Sequence, residues 1–442
     1  MTAFKFLLIS GSLTVLGSLL TGCGPAEAEA VTEGPPILAA AVSPTPPASA
    51  SVSIEAVTPE PGTPEPAAPE PGRPQRAQQP LELRWTVPEP RLVGGQVERP
   101  LLNMSATVEL SAEQLAQIRA VGNLNAARTA LDEAYARIEA RQPRDIRFRQ
   151  VGQDWIGEAR TGWKVDRAAS EAALLKAVQG GETRSTLNIA LEAPARSVRW
   201  AADKKIGHLA SGQSSFAGSP GFRVHNIRTG AERMQGTWVA PGKTFSFNAL
   251  IGPINSATGF QPGYVVTGNT LSTEDGGGIC QVSTTVFRAA FNAGLPITER
   301  HEHSYLVGYY EEPGLDAAVY APSKDLRWKN DTAAPLLVQT DRDLKAETLT
   351  VSLFGANDGR RVRISEPVIS ARKPAPDPTF MLDRELETGA ARRVDMPAAG
   401  MRAVVTRTLT FTDGKQRQED FVSRYKAWGG VFAVAPGDDR LR

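Results

Sequence analysis

An α+β fold is what this 442-residue chain predicts, and three observations carry that prediction. Residues 80–200 alternate short β-patterned runs with two amphipathic helical stretches. Residues 201–367 turn glycine-rich and strand-and-turn in character, interrupted by one strongly periodic helix behind a Gly-rich loop. Residues 368–442 read as strands only. Hydrophobic residues make up 41% of the chain, enough for real cores. A net charge of +1 without basic blocks gives no support for nucleic acid as a partner.

The N-terminus comes first. Lys5 and the apolar run from Phe6 to Leu20 have the form of an export signal, too short for a comfortable membrane span. Leu20-Thr21-Gly22-Cys23 resembles the lipobox of bacterial lipoproteins. That resemblance implies a signal peptide over 1–22, lipid on Cys23, and a membrane-anchored protein facing the cell wall or periplasm. Residues 23–79 are rich in Pro, Ala and Glu and contain no aromatic side chain. Such a segment cannot offset its ordering entropy by burial, so it is expected to be a disordered, semi-stiff tether. With Cys23 modified, Cys280 is the remaining thiol of the two cysteines. An unpaired thiol outside the cytoplasm is a candidate reactive group.

The first folded module opens with a strand around Leu81–Val87. A helix over 111–140 follows, with Ser111 as N-cap and Leu115, Ile118, Leu124, Leu131, Tyr135 and Ile138 near helical spacing. Strands around Ile146–Gln150 and Trp155–Arg160 lead to Gly162-Trp163-Lys164-Val165-Asp166. Asp166 then caps a second helix that Gly180-Gly181 ends. The order is similar to the peptidoglycan-binding-like module that precedes catalytic domains in some bacterial envelope proteins. Trp155 and Trp163 read as core rather than as sugar platforms.

In the next segment Gly276-Gly277-Gly278-Ile279-Cys280-Gln281-Val282-Ser283-Thr284-Thr285 places a thiol where a loop becomes a helix. Val282, Val286, Ala289, Ala290 and Ala293 form its apolar face and Gly294 stops it. A cysteine in a first helical turn lies at the positive end of the helix dipole, which favours thiolate. Packing of a small apolar residue at a helix start is the competing reading of Cys280. His301 and His303 follow; in an extended segment both imidazoles would face one way.

The run from His225-Asn226-Ile227 through Pro241-Gly242-Lys243-Thr244-Phe245-Ser246-Phe247-Asn248, Gly263-Tyr264 and the cysteine motif resembles the VanW family. So do Arg300-His301-Glu302-His303-Ser304, Asp316-Ala317-Ala318-Val319, Lys324-Asp325-Leu326 and Lys329-Asn330-Asp331. The likeness covers about 215–367 and implies an envelope-associated domain without fixing a reaction. Two positions depart from the family pattern, Glu302 where a proline is usual and Leu315-Asp316-Ala317-Ala318 where Arg-Asp-Ala-Thr is usual. Neither removes a candidate catalytic group.

The side chains point to thiol chemistry. Cys280 would be the nucleophile, and His301 or His303 its acid–base partner. Asp316, or failing that Asn330, would orient the imidazole. Gln281 and the Cys280 N–H would serve an oxyanion hole. The chain order, Cys before His, matches papain-like and transglutaminase-like enzymes by analogy alone. The substrate would be an amide in peptidoglycan or its stem peptides, hydrolysed or transferred through a thioester. A non-catalytic scaffold would use Gly277, Gly278, Ser283, Thr284, Ser304 and Asn330 to line a groove. A zinc hydrolase ligated by Cys280, His301 and His303 is a further alternative; the thiol reading needs no cofactor. After the VanW-like stretch, paired strands are expected around the Asn357-Asp358-Gly359 turn. The final β extension lacks histidine and cysteine and reads as structural or binding.

Overall fold

The computed structural model describes residues 78–441 apart from 268, 269 and 311. The lipobox with Cys23 and nearly all of the Pro-rich segment lie outside the described residues. Among the described residues no helix is long and apolar enough to cross a membrane. The fold is α+β, built from several small, mostly antiparallel sheets with helices packed on them.

In the first module the long strands Gln78–Pro88 and Leu101–Ser111 pair antiparallel, and Arg184–Thr186 adds a parallel neighbour to the first. Ser111 caps the following helix through a reciprocal box with Gln114. The single helix expected over 111–140 is instead two, Ala112–Val121 and Arg128–Glu139. Gly122 takes φ 74° and ends the first with a left-handed cap. Both helices still bury Leu115, Ile118, Leu131, Tyr135 and Ile138 in one core. Asp166 caps the helix Arg167–Gln179 as expected. Trp163 is buried edge-on to Trp85 and its indole N–H donates to the Ile138 carbonyl.

The second region centres on a four-stranded antiparallel sheet in the order Ile206–Ser215, Thr348–Ala356, Leu336–Asp343 and Thr237–Val239. Leu349, Val351 and Leu353 alternate toward one face, where they join the largest hydrophobic core. The helices Gly221–Met234 and Ile279–Asn292 pack there. Phe354 points to the other face, where it stacks on Phe148 of the first module at 4.2 Å. Trp155 lies over His208 beside it. Gln339 completes that junction, accepting from the Phe148 N–H and donating to its carbonyl.

The central helix Ile279–Asn292 is buried over almost its whole length, including Val282, Val286, Ala289 and Ala290. It can lie so close to the sheet because Gly212 faces it. A Cβ there would stand 2.4 Å from the Thr285 carbonyl oxygen and 2.5 Å from the Ala289 nitrogen.

The C-terminal strands Gly400–Thr410 and Gln416–Tyr425 form a long hairpin through Thr412-Asp413-Gly414-Lys415. Arg361–Ile364 and Val368–Lys373 also pair with the first of these strands. The strands flanking Asn357-Asp358-Gly359 both exist, but they do not pair with each other. Thr348–Ala356 already has a neighbour on each edge, so the chain leaves the turn for the C-terminal sheet.

Candidate active site

The glycine loop sets the position of the thiol. Gly276 and Gly278 adopt φ 92° and 110°, conformations that only glycine reaches without strain. A Cβ on Gly278 would also meet the Arg223 Cγ at 2.8 Å. Asn226, buried on the neighbouring helix, pins the loop: its amide donates to the carbonyls of Gln261 and Gly277, and its oxygen accepts from the Gln261 N–H. Cys280 is therefore the second residue of the central helix, half-buried, in the turn whose N–H groups have no helical acceptor.

The Cys280 thiol lies 3.6 Å from the Val319 carbonyl oxygen, to which it donates, and His303 is close enough to perturb its ionisation. The His303 Nδ1 lies 2.5 Å from the Asp316 Oδ2, and its backbone N–H donates to the same oxygen at 2.9 Å. The Asp316 Oδ1 accepts from the Arg300 guanidinium at 2.8 Å and from the Tyr425 hydroxyl at 2.6 Å. The carboxylate is 1% exposed with four donors on its two oxygens, as a buried charge requires. Cys280, His303 and Asp316 thus lie in the order of a candidate nucleophile, base and orienter, with the His303–Asp316 contact the one fixed by a direct hydrogen bond.

The electrostatics agree with that geometry. Burial alone would push the Cys280 thiol up, but the neighbouring His303, with a smaller effect from the Val319 carbonyl, outweighs it and brings the thiol below its ordinary value. Burial would lower His303, yet Asp316 and Cys280 raise it to about 9. Asp316 resists the upward push of burial because His303 and Arg300 hold it far below the carboxylate range. His303 is therefore protonated around neutrality, and its charge favours the thiolate form of Cys280. The His303 side chain keeps 14% exposure, so the site reaches solvent at that edge.

The other expected site residues lie elsewhere. His301 is 37% exposed and its Nε2 faces Glu299 at 3.1 Å, not Cys280. The strand Ile297–Glu299 ends before it, so residues 301 and 303 do not share a face. With His301 turned away, the three zinc ligands are not gathered, and no trio of His, Cys, Asp or Glu among the described residues is arranged to hold a metal. Gln281 points into the protein, donating to the Ser214 hydroxyl and the Ser215 carbonyl, so its amide cannot serve an oxyanion hole. Its Oε1 is buried with no hydrogen-bond partner among the described residues.

The expected groove residues are bracing groups. Ser283 donates to the Ala317 carbonyl at 2.6 Å, and Thr284 accepts from the Ala317 N–H at 3.0 Å, which fixes the backbone beside Asp316. The Gly277 carbonyl is held by Asn226, and the Ser304 carbonyl accepts from the Lys426 N–H. Asn330 is fully buried, donating to the Val239 and Ala334 carbonyls and accepting from Thr332. It is remote from imidazole duty.

Sequence reasoning missed Tyr425, Arg300 as a carboxylate partner, Arg223, and Tyr310, whose ring lies 5.0 Å from the His303 ring. Arg300 adjoins the His-Glu-His run and was findable there. Tyr425 arrives from the C-terminal sheet, and no local pattern announces it.

Comparison with known proteins places this geometry in a context. The profile of the family described as VanW like protein matches residues 222–354, which contain Arg223, Cys280, Arg300, His303 and Asp316 but not Tyr425. An uncharacterized protein of Bacillus subtilis, YoaR, is 38% identical over 127 residues, or 29% of this chain and 42% of that protein. The vancomycin B-type resistance protein VanW of Enterococcus faecalis is 33% identical over 116 residues, covering 25% of this chain and 42% of its own length. This chain spans less than half the length of either relative.

Proposed function

Taking as premise that the chain is a VanW family protein through residues 222–354, we propose that it is a cell-wall enzyme acting through the Cys280 thiolate. The family relatives, one of them named for vancomycin resistance, support a cell-wall-related role. The observation that carries the catalytic reading is the Cys280–His303–Asp316 line with its raised imidazole and lowered thiol. The reaction is acyl transfer or hydrolysis at an amide of peptidoglycan or a stem peptide.

The Cys280 sulfur attacks the amide carbonyl carbon, forming a C–S bond and a tetrahedral oxyanion. His303, protonated at rest, gives its proton to the departing amine as the C–N bond breaks, leaving a thioester. Water or an acceptor amine then attacks the thioester while His303 takes up its proton, and the thiolate leaves. The Asp316 charge favours the imidazolium throughout and fixes the ring. The lipobox-like Cys23 and the Pro-rich tether would hold this domain at the membrane facing its polymer.

Muropeptide mass spectrometry of purified sacculi incubated with the protein tests the proposal. A change in cross-links or stem-peptide length is expected with the native chain and is lost, by roughly 10³-fold or more, in Cys280→Ser and His303→Gln. Binding to sacculi with no change in muropeptides would leave a scaffold role and remove the enzyme.

A further inference from the structure

Arg223 is a cation the triad does not use. It is the third residue of the helix Gly221–Met234 and is 8% exposed. One guanidinium nitrogen donates to the Ser219 hydroxyl at 2.7 Å. The guanidinium lies 3.7 Å over the Tyr309 ring. Its stem packs against Gly278, at the foot of the thiol loop. No carboxylate pairs with it among the described residues; burial pushes its ionisation down, and the opposing groups around it are the Tyr310 and Tyr309 hydroxyls and the Cys280 thiol.

A guanidinium does not shed its charge in a protein, and a buried charge without a counter-charge costs several kcal/mol. Asp316 cannot supply that counter-charge, because Arg300 and His303 already occupy it. Around Cys280, three cations (Arg223, Arg300 and His303) therefore face two anions. The imbalance leaves room for one more negative group beside the nucleophile, and the planar fork of Arg223 suits a carboxylate.

We propose that Arg223 is a carboxylate-binding subsite and that the substrate is a peptide with a free carboxylate next to the amide that Cys280 attacks. This rests on the thiol reading above. The Arg223 side chain places the substrate carboxylate so that the neighbouring carbonyl carbon falls over the Cys280 sulfur. A peptide whose carboxylate is amidated loses that anchor and orients poorly.

Alkylation of the intact protein by iodoacetate and iodoacetamide tests the idea without knowledge of the natural substrate. Each reagent forms a C–S bond at Cys280 and releases iodide, and only iodoacetate carries a carboxylate. Relative to a small free thiol at the same pH, Cys280 is expected to favour iodoacetate by roughly tenfold, a step of about 1.4 kcal/mol. Arg223→Gln should lose that preference while still reacting with iodoacetamide, and Arg223→Lys should keep part of it. A native protein with no anion preference, or an Arg223→Gln variant that retains it, overturns the subsite and leaves the thiol reading standing. An iodoacetamide rate that rises only above about pH 8.5, the free-cysteine value, sinks the thiol reading and the subsite with it.

Discussion

His303 stands between two groups that both favour its charged form, and Asp316 does so from a position that solvent cannot screen. Replacing Asp316 with Asn keeps the shape but removes the charge, so His303 falls and the Cys280 thiol rises toward its ordinary value. Turnover is expected to drop roughly 10³-fold or more, and the iodoacetamide pH profile to move to higher pH. The proposed thiol chemistry has its own pH limits. Turnover needs the thiolate, so it rises with pH through the lowered Cys280 value, and it needs protonated His303, so it falls as pH passes about 9. A pH–rate curve that stays flat from 7 to 10 contradicts proton donation by His303. The sequence alone could name Cys280, His303 and Asp316 from residue type and chain order. It could not choose between His301 and His303, because that choice depends on where the strand Ile297–Glu299 ends.

The central helix owes its position to two glycines whose missing side chains do different work. At Gly212 the strand backbone touches the helix backbone, so Gly212→Ala forces apart two elements that cannot yield at a rotamer. A cost of about 1–3 kcal/mol or more is expected, read as a lower urea midpoint at unchanged slope. At Gly278 the positive φ and the Arg223 stem act together, and Gly278→Ala should both destabilise the fold and slow alkylation of Cys280. An unchanged alkylation rate there would show that the loop does not position the sulfur. Helix periodicity and glycine stops made this element readable from the sequence. The same signals failed at Gly122, where a glycine inside an apolar pattern ends one helix, and at Asn357–Gly359, where the turn is real but the next pairing is tertiary.

Across the whole molecule, the C-terminal sheet is joined to the central helix at both ends. Tyr425 reaches Asp316 behind the N-terminal end, and Ser423 accepts from Arg300. At the other end Arg407, fully buried, donates to the Phe291 and Leu295 carbonyls, placing a cation where the helix dipole is negative. Tyr425→Phe removes a donor from a buried carboxylate and leaves the Gly314 N–H without its acceptor. A loss of about 1–3 kcal/mol is expected in chemical denaturation, with a measurable rise in the Cys280 titration midpoint. A stability loss with no shift in that midpoint would make Tyr425 purely structural. The sequence reading of this sheet as support was incomplete, since the interaction that matters crosses from one end of the chain to the middle and leaves no periodic trace.

The position of Tyr425 near the end of the chain has a consequence in time. Synthesis runs from the N-terminus, so Cys280 and His303 emerge before the strand that completes the hold on Asp316. Until that strand docks, the Asp316 carboxylate lacks one of its four donors and the Gly314 N–H lacks its acceptor, so the surroundings of His303 are completed last.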